Sequence, residues 1–209
     1  MNISDYIKHI NNSIYNSNKH ISKLNNDILN IECICDTKTK HLYNNLCNFP
    51  NCKYLEIGVY KGGTLCCCFY KNNIKCLGID NFSQFDIDNN NKQIVINNIN
   101  KYKTKLDDII FVNTNCWDIE KNYLKKFNIY KYDAEHTYQY HYKSLEFFLD
   151  CMDNIFIFIV ELWNIFFIRQ SILDAIKNNH IKILYNKIYS GNYNNKSYEI
   201  CIILLKKNI

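Results

Sequence analysis

Ile3, Ile7, Ile10, Ile14, Ile21, Leu24, Ile28 and Ile31 fall on alternating four- and three-residue steps, and only Ser17 interrupts the apolar series. That spacing predicts an amphipathic helix over residues 4–32 with an a/d seam. At 1.5 Å per residue it would run about 43 Å, longer than a small domain readily covers. Two arrangements satisfy such a seam: a protruding coiled coil that makes a homodimer, or a helix folded back on its own domain. Asn is a weak helix former and bulky leucines are few here, so the pattern leaves both open.

A second, short helix is expected over 38–47, and the pattern then changes. Apolar runs at 53–57, 75–79, 109–112, 129–132 and 155–160 read as strands, and helices are expected between them, beginning near Gly63, Asn90, Asp118 and Thr137. Apolar strands alternating with helices imply an α/β fold with a mostly parallel sheet covered on both faces, binding ligands at the strands' C-terminal ends. A helix over 166–177 leads to a last strand pair, 181–188 and 198–205, whose polar connection at 190–195 suits an antiparallel hairpin. The chain therefore divides into an N-terminal helix, 1–34, and one domain, 35–209, with seven strands.

Composition narrows the function classes. The net charge of +5 comes from lysines scattered along the 209 residues, which describes a solvated surface better than a nucleic-acid groove. The abundance of Asn, Ile, Lys and Tyr, with one Pro, resembles the coding bias of an AT-rich genome, so Asn-rich tracts carry little functional meaning. The chain opens polar, without the apolar core of a secretory signal, and its longest apolar run is far short of the roughly 20 residues of a membrane span. Eleven cysteines without recurring CxxC pairs are expected as small buried thiols of a cytoplasmic protein rather than as a disulfide or zinc framework.

The candidate chemistry begins where the first strand ends. Glu56-Ile-Gly58-Val-Tyr60-Lys61-Gly62-Gly63-Thr64 is a glycine-bearing turn between a strand and a helix, where backbone amides can approach a ligand. About twenty residues on, Asp80 closes the next strand, a position from which a carboxylate can accept ribose hydroxyls.

This ordered set resembles motifs I and II of the class I S-adenosylmethionine (SAM) methyltransferases. Downstream, Tyr132-Asp-Ala-Glu-His-Thr-Tyr138, then Ile157 to Asn164 and Arg169, resemble the branch containing macrocin O-methyltransferase and cephalosporin hydroxylase-like proteins. The likeness covers about residues 50–205. It implies a Rossmann-like fold with SAM as cofactor and a small-molecule or sugar hydroxyl as acceptor.

By the same resemblance Gly58, Tyr60, Lys61, Gly62 and Gly63 lie beneath the methionine part of SAM, Glu56 near its amino group and Thr64 near its carboxylate. Asp80 would hold the ribose, Asn81 and Phe82 would flank the adenine, and Asn115 with Cys116 would stand where the family commonly has an acid on the adenine amino group. Asp133 and Glu161 would end neighbouring strands and could converge on Mg2+. The branch often has a further acid after the Glu161 position, where this chain has Leu162. His136 is the candidate base for the acceptor hydroxyl, with Asp133 beside it; capping a helix or orienting a carboxylate is the bland alternative. Leu162 and Asn115 also suit a SAM-binding scaffold that has lost catalysis. A nucleic-acid methyltransferase is disfavoured by the lack of an NPPY-type tetrapeptide and of a concentrated basic patch.

Overall fold

A computed structural model describes residues 2–124 and 126–208. Side chains alternate across the strands, and that parity builds two core layers. In β1 (Lys53–Ile57), Tyr54 and Glu56 face one side and Leu55 and Ile57 the other. In β4 (Phe127–Tyr132), Ile129 and Lys131 share the first side, with Tyr130 and Tyr132 on the second. In β5 (Met152–Val160), Ile157 and Ile159 join the first and Phe156, Phe158 and Val160 the second.

With β2 (Lys75–Asp80), β3 (Asp108–Asn113), β6 (Lys182–Tyr193) and β7 (Lys196–Lys206), these strands form one seven-stranded sheet in the order β3-β2-β1-β4-β5-β7-β6. The first five are parallel; β7 runs antiparallel to both β5 and β6. The hairpin is tighter than its sequence suggests. Its strands extend to a two-residue turn, Asn194 and Asn195, both with φ in the left-handed region that a hairpin turn of this type needs.

Helices cover both faces. On the first lie α1 (Ile3–Asn18), α2 (Asn26–Leu29), α3 (Thr37–Leu46), α4 (Gly63–Phe69) and α5 (Asn91–Tyr102); on the second lie α6 (Tyr138–Phe148) and α7 (Phe166–Asn178). Two expectations fail. The long N-terminal helix stops at Asn18, where a run of poor helix formers leads into His20 at φ 56°, and α1 packs on α3 of its own chain. The buried positions are Tyr6, Ile10, Ser13 and Ser17, with Ile7 and Ile14 half-buried against the same core, while Ile3 and Ile21 are exposed. The fold-back arrangement is the one adopted.

The helix expected near Asp118 is also missing among the described residues. Two short 3-10 turns, Cys116–Asp118 and Lys121–Tyr123, stand there instead. Trp117 anchors this stretch: it stacks on Tyr140 and meets Phe147 edge-on. Pinning by one large aromatic ring replaces a helical face as the means of holding the crossover to the sheet.

Candidate active site

The strand order reverses between β1 and β4, since the chain runs outward from β1 through β2 to β3 and then returns to β4. Ligands of open α/β sheets bind outside the strands' carboxyl ends at such a switch point. A cavity of about 570 Å³ opens there.

The glycine turn is shaped first by contacts within the protein. A Cβ on Gly58 (φ 88°) would lie 2.1 Å from the Asp133 carbonyl oxygen, so glycine is required for the ends of β1 and β4 to meet. A Cβ on Gly63 would lie 2.6 Å from Cys33 Cβ and 2.7 Å from the Glu32 carbonyl, because residues 32–35 pass over the start of α4. Gly62 begins α4 at φ 82°, with ordinary space around it. Glu32 ties this cover down through Tyr60 Oη (2.8 Å) and Lys61 Nζ (2.7 Å). Cys33, Ile34 and Cys35 thereby line the cavity, a contribution the sequence reading did not foresee.

Asp80 stands in the cavity wall with both oxygens engaged. Oδ2 accepts from the amides of Val59 (2.7 Å) and Tyr60 (2.8 Å), and Oδ1 accepts from Phe82 N–H (2.7 Å). A carboxylate has about four acceptor positions, so about one is left for a ligand. Of the other expected cofactor residues, Gly58, Tyr60, Thr64, Asn81, Asn115 and Cys116 line the cavity. Glu56 is fully buried, and neither it nor Lys61, Gly62 or Gly63 lines the cavity. Phe82 packs on Phe111 of β3 (ring centroids 5.9 Å) rather than in the wall. Asn115 Oδ1 accepts from Trp117 N–H at 3.2 Å, capping its own turn.

At the other end, strand parity assembles a charged cluster on one face of the sheet. Glu56 and Lys131 are register partners, and Asp133 and Glu161 follow at the ends of β4 and β5. The Lys131 ammonium is fully buried, 2.7 Å from Asp133 Oδ2 and 3.1 Å from both Glu56 Oε1 and Glu161 Oε1. Burial opposes its charge, but Asp133, Glu161 and Glu56 together raise its pKa well above the ordinary lysine value. Tyr43 Oη of α3 and Thr64 Oγ1 of α4 donate to Glu161 Oε1 and Glu56 Oε1. Glu56 Oε2 is buried without a partner.

One cation among three carboxylates leaves them unequal. Burial and the neighbouring Asp133 push Glu161 up to about 7, and burial raises Glu56 against the pull of Lys131. For Asp133 burial also pushes upward, but Lys131 and His136 outweigh it and hold the carboxyl below its usual range. His136 Nε2 lies 3.5 Å from Asp133 Oδ1, and its Nδ1 is 3.1 Å from His141 Nε2. Burial and His136 depress the His141 pKa to about 4. His136, Asp133 and Glu161 all line the cavity, whereas Arg169 does not; its guanidinium lies over Phe166 at 6.0 Å.

The residues expected to hold Mg2+ do not fit it. Mg2+ demands close oxygen ligands in near-octahedral geometry, and here an ammonium is hydrogen-bonded between Asp133 and Glu161 while Leu162 follows. Among the described residues no group of three His, Cys, Asp or Glu side chains is placed to hold a metal ion. SAM fits better: the cavity wall carries Asp80 and the Gly58 turn, with a buried, unpaired carboxylate oxygen on Glu56 below.

This sheet order, with its antiparallel last strand and the cavity at the switch point, is the class I methyltransferase fold. Neither a protein-family model nor a curated protein sequence matches the chain. Solved structures with this fold do. An O-methyltransferase from Bacillus cereus in complex with SAH aligns at TM-score 0.60 and 14% identity, over 97% of this chain and 100% of that one. TYW2 from M. jannaschii in complex with AdoMet aligns at TM-score 0.58 and 9% identity, over 79% and 74%. TrmN from Thermus thermophilus aligns at TM-score 0.62 and 8% identity over 87% of this chain, which spans 52% of TrmN's length. Among the described residues no helix is long and apolar enough to cross a membrane, and all eleven cysteines are free thiols.

Proposed function

We propose that the protein is a SAM-dependent O-methyltransferase acting on a hydroxyl of a small molecule or sugar. The carrying observation is a single cavity with Asp80 and the Gly58 turn in one part of its wall and Asp133, His136 and Glu161 in another. The bound cofactor supplies an electrophilic methyl group on a sulfonium. The O-methyl and sugar preferences rest on the motif resemblance at residues 132–138 and 157–169.

In this reading Asp80 accepts one ribose hydroxyl through its remaining acceptor position, while its other bonds hold the turn. Asn81, Asn115 and Cys116 supply the wall near the base, and Thr64 and Glu56 the polar floor. His136 removes the acceptor's proton through Nε2. That nitrogen is 3.5 Å from Asp133, too long for a firm hydrogen bond, and so remains available. Asp133, kept ionised, stabilises the imidazolium that forms. The free thiols favour a reducing compartment, in line with a cytoplasmic location.

The test is calorimetric titration with SAM and S-adenosylhomocysteine, followed by an acceptor screen with labelled SAM. Binding at micromolar affinity, and turnover that falls about 100-fold or more in His136→Ala with SAM affinity kept, is the expected result. Binding without any methyl transfer would point to a scaffold. Failure to bind either nucleoside would defeat the reading.

A further inference from the structure

The fixed ammonium at the heart of the cluster has a chemical meaning of its own. A hydroxyl that accepts a methyl group must lose its proton, to a positioned base or with the help of a divalent cation, and carboxylates gathered around such a centre call for a positive charge to hold them together. Lys131 is the penultimate residue of β4, a strand otherwise buried and uncharged, and its side chain is fully enclosed. Its Nζ touches Asp133, Glu56 and Glu161 and lies 5.1 Å from the Tyr43 ring centroid. Tyr43 in turn donates to Glu161, so the ammonium is walled in by α3 and held from three strands.

We infer that Lys131 takes the electrostatic place of a divalent cation: its ammonium positions the Asp133 and Glu161 carboxylates, and the centre works without a bound metal. This rests on the methyltransferase reading above. Lys131 is a positioning residue, since it does not line the cavity and meets the acceptor only through Asp133 and Glu161. A corollary separates this role from mere packing. Removing the ammonium leaves Glu56 Oε1, Asp133 Oδ2 and Glu161 Oε1 around the point it occupied, at 3.1, 2.7 and 3.1 Å, three carboxylates without a counter-charge that must shift inward to become ligands of Mg2+ or Mn2+.

The test is Mn2+ titration followed by electron paramagnetic resonance, on the full chain. Wild type is expected to bind Mn2+ no more tightly than about 1 mM, and Lys131→Met about ten-fold tighter or better, a gain lost again in Lys131→Met/Asp133→Asn. Tight Mn2+ binding by wild type that Asp133→Asn abolishes would overturn the inference, as would a folded Lys131→Met that gains no affinity. If Lys131→Met does not fold, the wild-type titration decides alone: tight binding overturns the inference, and its absence supports it. S-adenosylhomocysteine binding in EDTA is read separately by thermal shift. Its loss on chelation counts against a metal-free centre, whereas failure to bind with or without metal sinks the cofactor reading and leaves the Mn2+ result standing.

Discussion

His141 and Glu161 sit within one cluster and respond to acid in opposite directions. His141 has a folded-state pKa of about 4 against an ordinary 6.5, so the unfolded chain binds the extra proton between those values. Its stabilising effect is complete above about pH 6.5 and is lost as pH falls toward 4, on the order of 3 kcal/mol in all. Glu161, raised to about 7 from 4.5, does the reverse: its contribution is present below about pH 4.5 and is lost as pH rises through 7. Urea unfolding at pH 5 and pH 8 separates the two. Glu161→Gln should gain roughly 2–3 kcal/mol relative to wild type on going from pH 5 to pH 8, and His141→Asn should remove the wild type's loss below pH 6.5. A Glu161→Gln difference that does not change with pH would show that the carboxyl titrates normally.

Lys131 also marks where residue-level reading of the sequence ended. Asp133, Glu161 and His136 were legible from the motif order, because each closes or follows a recognisable apolar strand. Lys131 lies within the run 129–132, where no motif position marks it. The signal was parity: Lys131 shares a face with Ile129, and Glu56 with Tyr54, so both charges had to enter the same buried layer.

At the scale of elements, the turn after β1 is the joint on which the cavity depends. Gly58→Ala would force a methyl group against the Asp133 carbonyl at 2.1 Å in a left-handed conformation. It should cost about 2–4 kcal/mol by urea denaturation and abolish SAM binding. Gly62→Ala, with ordinary space around its Cβ, should cost only about 1 kcal/mol for its positive φ. Equal costs would mean that backbone angle, and not the β1–β4 contact, explains both. The strands were read well from sequence because short apolar runs bounded by polar turns leave few alternatives. The helix expected from near Asn90 is α5, which begins at Asn91, while the part played by Ser83, Gln84 and Phe85 in lining the cavity was not legible. Asp86 Oδ1 caps that approach by accepting from the amides of Asn90 and Asn91, a bond pattern that composition does not reveal.

For the whole molecule, the first thirty or so residues were the least legible part. The isoleucine seam does turn inward at Ile7, Ile10 and Ile14, but the same pattern does not show that the helix ends at Asn18 and packs within its own chain. α1 covers α3, with His9 Nε2 bonded to the Leu46 carbonyl at 2.9 Å and Tyr6 edge-on to Phe49. Deleting residues 2–18 should lower the melting temperature by about 10 °C, from the loss of a few buried apolar side chains. Sedimentation should return the same number of chains per particle as the intact protein; a change in that number would restore α1 as an assembly element.

The passage of residues 32–35 over Gly63 ties the amino end of the chain to the cavity. Glu32 clasps Tyr60 and Lys61 while its neighbours Cys33 to Cys35 form part of the chamber's lining. Anything that tugs on the first thirty residues, whether a fused tag, a truncation or a docked protein, is therefore transmitted mechanically to the pocket's ceiling. Binding measured on a clipped or heavily tagged preparation would report on an altered cavity.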